Sequence, residues 1–345
     1  MTEERRPLGG AALADAVRAA GLDPSGLVEQ RVLDTHESGW LLPSTPGGWF
    51  DDWQALRGAV GVTGRWPLAL AVWGGGPNPD PFNRLESGPA EEGVDLAPRA
   101  IVDRVERAQP PSGPPEHSTA PWTPDDDYWR WALEETQARC GRAPTLEDLH
   151  AVLGRVVDDL EGERWLLDWE LAHPGGAQED SDASYLDWFV PDDVVLVLLP
   201  TDAPWASFAY TAAYECGTPT PDTRTAVARR WHQEYAAAPA ANWGTMWQLV
   251  VDRPPATVQA AWPVAAESAR LWPDTTVGPG VSTRGHARDL VGRNLVPALP
   301  ALTRAIARIA PPWVSRSHRA CSPPTSRTSP PRRPASRTPT GCTST

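Results

Sequence analysis

From Asp222 to Leu271 the chain writes helix, strand, proline-marked turn and helix without a gap, and this order constrains the fold more than any other stretch. Asp222 to Ala237 carries helical spacing, with Trp231 and Tyr235 four apart on one face. Met246 to Val251 is an apolar run of strand length. Pro254-Pro255 stops it and opens a second helix that continues to Leu271. The pattern defines a fold unit and no reaction.

Other elements extend the unit. Val194 to Leu199 is unbroken in its apolar character, which suits a strand buried on both faces, and Trp66 to Trp73 reads the same way before Gly74-Gly-Gly ends it. A short strand is expected at Val28 to Leu33 and another near Ala206 to Tyr214. Helices are expected at Ala11 to Ala20, with Leu13 and Val17 inward, and at Trp53 to Val60, Pro98 to Ala108, Asp125 to Cys140, Thr145 to Leu160, Arg164 to His173 and Gly285 to Val291. The fold class that follows is α+β, a mostly antiparallel sheet with helices packed on one face and a disordered C-terminal tail. The organisation expected is an N-terminal part over 1–76, a Pro/Gly-rich linker with a short helix over 77–124, a helical segment over 125–182, a core α+β domain over 183–293 and the tail over 294–345.

Charge and cysteine content narrow the function classes. All 44 acidic residues lie at or before Asp289 and nine arginines follow it, so an acidic body precedes a basic tail. An acidic body repels phosphate and anionic lipid, which disfavours nucleic acid except through the tail. No apolar run approaches a membrane span and the first residues lack the core of a signal peptide, so a cytoplasmic location with no membrane partner is expected. Cys140, Cys216, Cys321 and Cys342 never form a C-x-x-C pair, which writes neither a zinc knuckle nor a redox motif. The 18 tryptophans are expected mostly as internal filling, half-buried where the indole N–H needs a partner.

Motifs for chemistry are sparse. Glu147-x-x-His150 puts a carboxylate and an imidazole on one helix face, but no second such pair completes a metal site. Gly278-Pro-Gly280 lacks the third glycine of a dinucleotide fingerprint, and a chain without lysine has no phosphate-loop lysine. Ser282 sits in a segment one residue too long for a nucleophile elbow, and helix capping is its simplest role, with Thr283 as competitor. No catalytic residue, metal ligand or cofactor is assigned. Glu215, His232, Glu267 and Asp274 stand as the binding candidates, and as the contributors to an active site if one is assembled from dispersed positions.

Several separate blocks resemble a bacterial family of domains of unknown function, family 4253. They are Trp205 to Tyr210, Arg229-Arg-Trp-His-Gln-Glu-Tyr235, Trp243-Gly-Thr-Met246, Val251-Asp-Arg-Pro-Pro-Ala-Thr257 and Ala265-Ala-Glu267, with Thr63 to Leu70 as an entry segment. The resemblance implies a fold and carries no reaction, cofactor or site residue. An aromatic block that often closes such domains is replaced here by Asn294-Leu-Val-Pro-Ala-Leu-Pro300, and the Pro/Ser/Thr/Arg-rich sequence beyond reads either as a frame-shift product or as a basic arm. The expectation is a soluble, non-enzymatic module that binds another protein or a small ligand, an immunity or regulatory component being one form. The alternative is the dispersed-site enzyme.

Overall fold

Two runs written almost entirely in apolar residues, Trp66–Ala71 and Val194–Leu199, become the neighbouring central strands of one sheet. In the computed structural model, residues 7–32, 35–71, 97–108, 126–154, 160–175, 193–211, 220–243, 247–271 and 282–297 are described. The strands are β1 (Val28–Arg31), β2 (Ser38–Ser44), β3 (Trp66–Ala71), β4 (Val194–Leu199), β5 (Ala237–Asn242), β6 (Trp247–Val251) and β7 (Leu295–Pro297). The helices are α1 (Gly10–Ala19), α2 (Trp49–Gly58), α3 (Val60–Thr63), α4 (Pro98–Arg107), α5 (Asp126–Cys140), α6 (Leu146–Leu153), α7 (Leu160–Ala172), α8 (Ser207–Tyr210), α9 (Pro221–Tyr235), α10 (Val258–Leu271) and α11 (Thr283–Asp289).

The sheet runs β1-β2-β4-β3-β5-β6-β7. Every neighbouring pair is antiparallel except β3 and β5, which run parallel with Ala69 opposite Ala241. The expected α+β class with a mostly antiparallel sheet is therefore the observed one. All six residues of β4 and of β5 are buried, and because alternate side chains of a strand point to opposite faces, both faces of these two strands are covered. Each Val or Leu buried in this way contributes about 1.5–3 kcal/mol.

Two strand prolines shape the centre. Pro239 supplies no N–H to the ladder, and β5 bulges against β6 between Pro239 and Ala241. The carbonyl of Pro239 accepts the indole N–H of Trp66 at 2.9 Å, and the carbonyl of Pro67 accepts that of Trp53 at 2.9 Å. Indole rings thus fill the core and answer backbone acceptors together. Every described tryptophan is buried or half-buried, so these rings do not form an exposed aromatic surface.

Local chemistry sets the helix ends. Thr220 caps α9 by accepting from the Thr223 N–H, with Pro221 at the first helical position. Thr145 and Asp148 form a reciprocal capping box on α6, and Ser282 caps α11 as its sequence position suggested. Ala236 ends α9 in the left-handed region at φ 50°, turning the chain directly into β5.

One expectation is corrected outright. Ala206 to Tyr214 was expected to be a strand, but Pro204–Ala206 forms a 3-10 turn and α8 follows; residues 212–214 lie outside the described ones. Pro204 at the first helical position starts the turn, and the aromatic residues that favour strands are here buried helical ones. Two strands not expected from the sequence, β2 and β5, complete the sheet, and β7 continues it into the stretch assigned to the tail. The disorder expected beyond that point falls outside the described residues. Among the described residues no helix is long and apolar enough to cross a membrane.

Candidate functional site

The four sequence candidates do not assemble a site among the described residues. Glu215 and Asp274 lie outside them. The His232 ring donates through Nδ1 to the Ala237 carbonyl at 3.0 Å, which staples the α9–β5 turn. Glu267 is 5% exposed, accepts the Trp231 indole N–H at 2.7 Å and pairs with Arg230, so it ties α10 to α9. Both side chains are engaged in holding the fold. His150, of the E-x-x-H pair, is exposed and contacts Asp126 at 3.0 Å.

A cluster not anticipated from the sequence lies between α5, α7 and α11. The Arg284 guanidinium is fully buried and meets three carboxylates: Glu163 at 2.5 Å, Glu135 at 2.6 Å and Glu170 at 3.0 Å. Arg288, one turn on, reaches Glu170 at 2.5 Å and Glu135 at 2.7 Å. Tyr128 donates to Glu163 at 2.8 Å and Thr136 to Glu170 at 2.7 Å, while the Arg284 backbone N–H donates to Glu163 at 3.1 Å.

Burial alone would lower the Arg284 pKa, but Glu163, Glu135 and Glu170 outweigh it and raise the pKa above its ordinary value. Burial first, then Glu163, pushes the Tyr128 phenol well above its ordinary value. These carboxylates are occupied by guanidinium forks, and among the described residues no group of His, Cys, Asp and Glu is placed to hold a metal ion. One signal was available. Leu160, Glu163, Leu166, Leu167 and Glu170 share the buried stripe of α7, so two carboxylates occupy positions where helical periodicity calls for core.

The opposite side of α11 borders a cavity. Its walls come from Trp231 and Tyr235 of α9, Ala237, Leu249 and Val251 of the sheet, Pro255, Val264 and Ser268 before and within α10, and His286 and Leu290 in and after α11. It is partly open, and its volume is about 30 Å³, against the roughly 10–15 Å³ that one water needs. Trp231 and Tyr235, expected to be core, both form this wall, Trp231 as a core residue and Tyr235 half-buried against the core.

His286 is 6% exposed and Ser268 is 2% exposed. Neither side chain has a hydrogen-bond partner among the described residues. Burial lowers the His286 pKa to about 4, against a smaller opposing pull from Asp289, so the ring is neutral at pH 7. Burial, followed by Glu234, raises the Tyr235 phenol, which is likewise neutral. The wall is therefore mostly apolar, aromatic and uncharged, with His286 and Ser268 among its few polar residues.

An α+β layer closed by three helices over a small neutral cavity is the class of protein that the fold and this site define. Residues 195–296, which supply every wall of the cavity, match the family model of a domain of unknown function, DUF4253. No curated protein and no solved structure matches the chain.

Proposed function

We propose that this protein is a non-enzymatic binding module that receives a small ligand in the cavity between α9, α10 and α11. The observation that carries the reading is a partly open aromatic cavity bordered by a buried imidazole with no partner of its own. Ligand sites are mostly apolar concavities with a few placed polar groups, and this wall has that composition. The enzyme alternative, built on Glu215, His232, Glu267 and Asp274, keeps His232 and Glu267 among the described residues, and both are tied to structural partners.

In an immunity or regulatory setting the same cavity would take a side chain of another protein. A cytoplasmic location belongs to this proposal and is supported by the buried free thiol of Cys140. The test is a neutral fragment screen by saturation-transfer NMR on the wild-type chain and on Val264→Trp, which plugs the half-buried side of the cavity. Fragments are expected to bind the wild type and to be lost from the plugged variant. The same set of binders on both proteins would sink the reading.

A further inference from the structure

We infer that the cavity selects the hydroxyl-bearing end of a small uncharged molecule, its O–H answering the His286 ring and its carbon body lying against Trp231 and Leu249. The inference rests on the binding reading above and names the ligand class for the same site. Three properties of the wall carry it. A neutral imidazole presents one donor and one acceptor nitrogen, and whichever faces the cavity, a single hydroxyl can answer it because oxygen both donates and accepts. A ketone oxygen only accepts and so answers one tautomer alone.

The second property is charge. None of the residues bordering the cavity is charged with His286 neutral, so a carboxylate or an ammonium would lose its hydration there without a counter-ion. The third is size: a volume of about 30 Å³ holds roughly two waters. A ligand can therefore insert a short hydroxyl-bearing end and leave its remainder outside the cavity. Ser268 is the second unpartnered polar group on the wall and reinforces selection for a group that both donates and accepts.

The test uses the full chain with histidines labelled at 13Cε1, the His286 resonance being assigned by its loss in His286→Phe. Isobutanol is titrated beside its isosteres isopentane, isobutyrate and isobutylamine. Isobutanol is expected to shift His286 saturably and to bind about tenfold or more tightly than any of the three, because a site built for a hydrogen bond rejects an analogue lacking it. His286→Phe, read on the Trp231 indole resonance, is expected to weaken isobutanol about tenfold while leaving isopentane unchanged. Ser268→Ala is a milder variant for the same comparison should His286→Phe fail to fold.

Equal binding of isobutanol and isopentane would overturn the hydroxyl assignment and leave the binding module standing. Tighter binding of isobutyrate or isobutylamine would overturn the requirement for neutrality. No response to any of the four would remove both, with water then the occupant of the cavity.

Discussion

Helix α11 has two buried faces that treat polar atoms in opposite ways. Arg284 and Arg288 are one turn apart and enter a cluster in which guanidinium groups meet three glutamates, a tyrosine and a threonine. His286 and Leu290, offset by two residues and so on the other side of the helix, face a cavity where the imidazole meets no partner. A satisfied buried network specifies how segments dock; here it clasps α5 and α7 to α11. An unsatisfied group beside empty space keeps its hydrogen-bonding capacity for something that arrives later. The difference separates scaffold from site more sharply than residue type does, since arginines and glutamates here build structure and a histidine borders the cavity.

The comparison breaks most visibly at Arg284. Arg284→Met leaves Glu163 buried with only Tyr128 and the backbone N–H of residue 284 to answer it and Glu170 with Arg288 and Thr136, and loss of one partner from a buried pair costs about 3–5 kcal/mol. Urea unfolding at pH 7 should show that loss, with faster amide exchange in α5 and α7. Adding Glu163→Gln and Glu170→Gln to the variant should recover much of it, because the uncompensated charges are removed. A loss below about 1 kcal/mol would mean that water reaches the cluster and that it is not the clasp described.

The other face gives the next effect, through pH. The folded-state pKa of His286 is lowered to about 4 from an ordinary value of 6.5. Above pH 6.5 the ring is neutral in both states and its burial carries no ionisation penalty. Between 6.5 and about 4 the unfolded chain takes up a proton that the folded chain refuses, so stability falls as pH falls through that window. The ceiling is on the order of 3 kcal/mol. The groups around the ring are Asp289 on its own helix and the neutral Tyr235 of α9, with Ser268 of α10 not titrating. His286→Gln should flatten this part of the pH profile relative to wild type, and identical profiles would show that the ring is wet.

What could be read in the sequence follows from how local the cause is. The α9, β6 and α10 elements were legible because their spacing, the Thr220 cap and the Pro254-Pro255 stop act within a few residues. Strand β5 was not, because Ala237-Ala-Pro-Ala-Ala-Asn242 has poor strand propensity and becomes a strand through burial between β3 and β6. Of the clasp, the glutamate stripe on α7 was present in the periodicity, but Arg284 lies 121 residues from Glu163 and nothing local joins them. The cavity was less legible still. His286 is written inside the domain, yet its lack of a partner is a property of the gap between three helices and no sequence pattern records it.

The smallest effect sharpens the comparison from the clasp side alone. Gly162 sits on α7 beside Glu163, and a Cβ there would come within 2.7 Å of Trp129 Cη2 and 2.8 Å of Leu153 Cδ2. Gly162→Ala gains up to about 1 kcal/mol of helix propensity. It must also displace the buried Trp129 ring, and overpacking of this kind costs about 1–3 kcal/mol. Leu153 can swing aside but the indole is rigid, so the steric cost should prevail and net destabilisation of about 1 kcal/mol is expected in urea. Because α7 forms no part of the cavity wall, ligand titrations of this variant should match the wild type. Unchanged binding with a loosened α5–α7 segment would establish that the two faces of α11 work independently. A parallel loss of binding would show instead that the clasp positions His286, making the satisfied face a support for the open one.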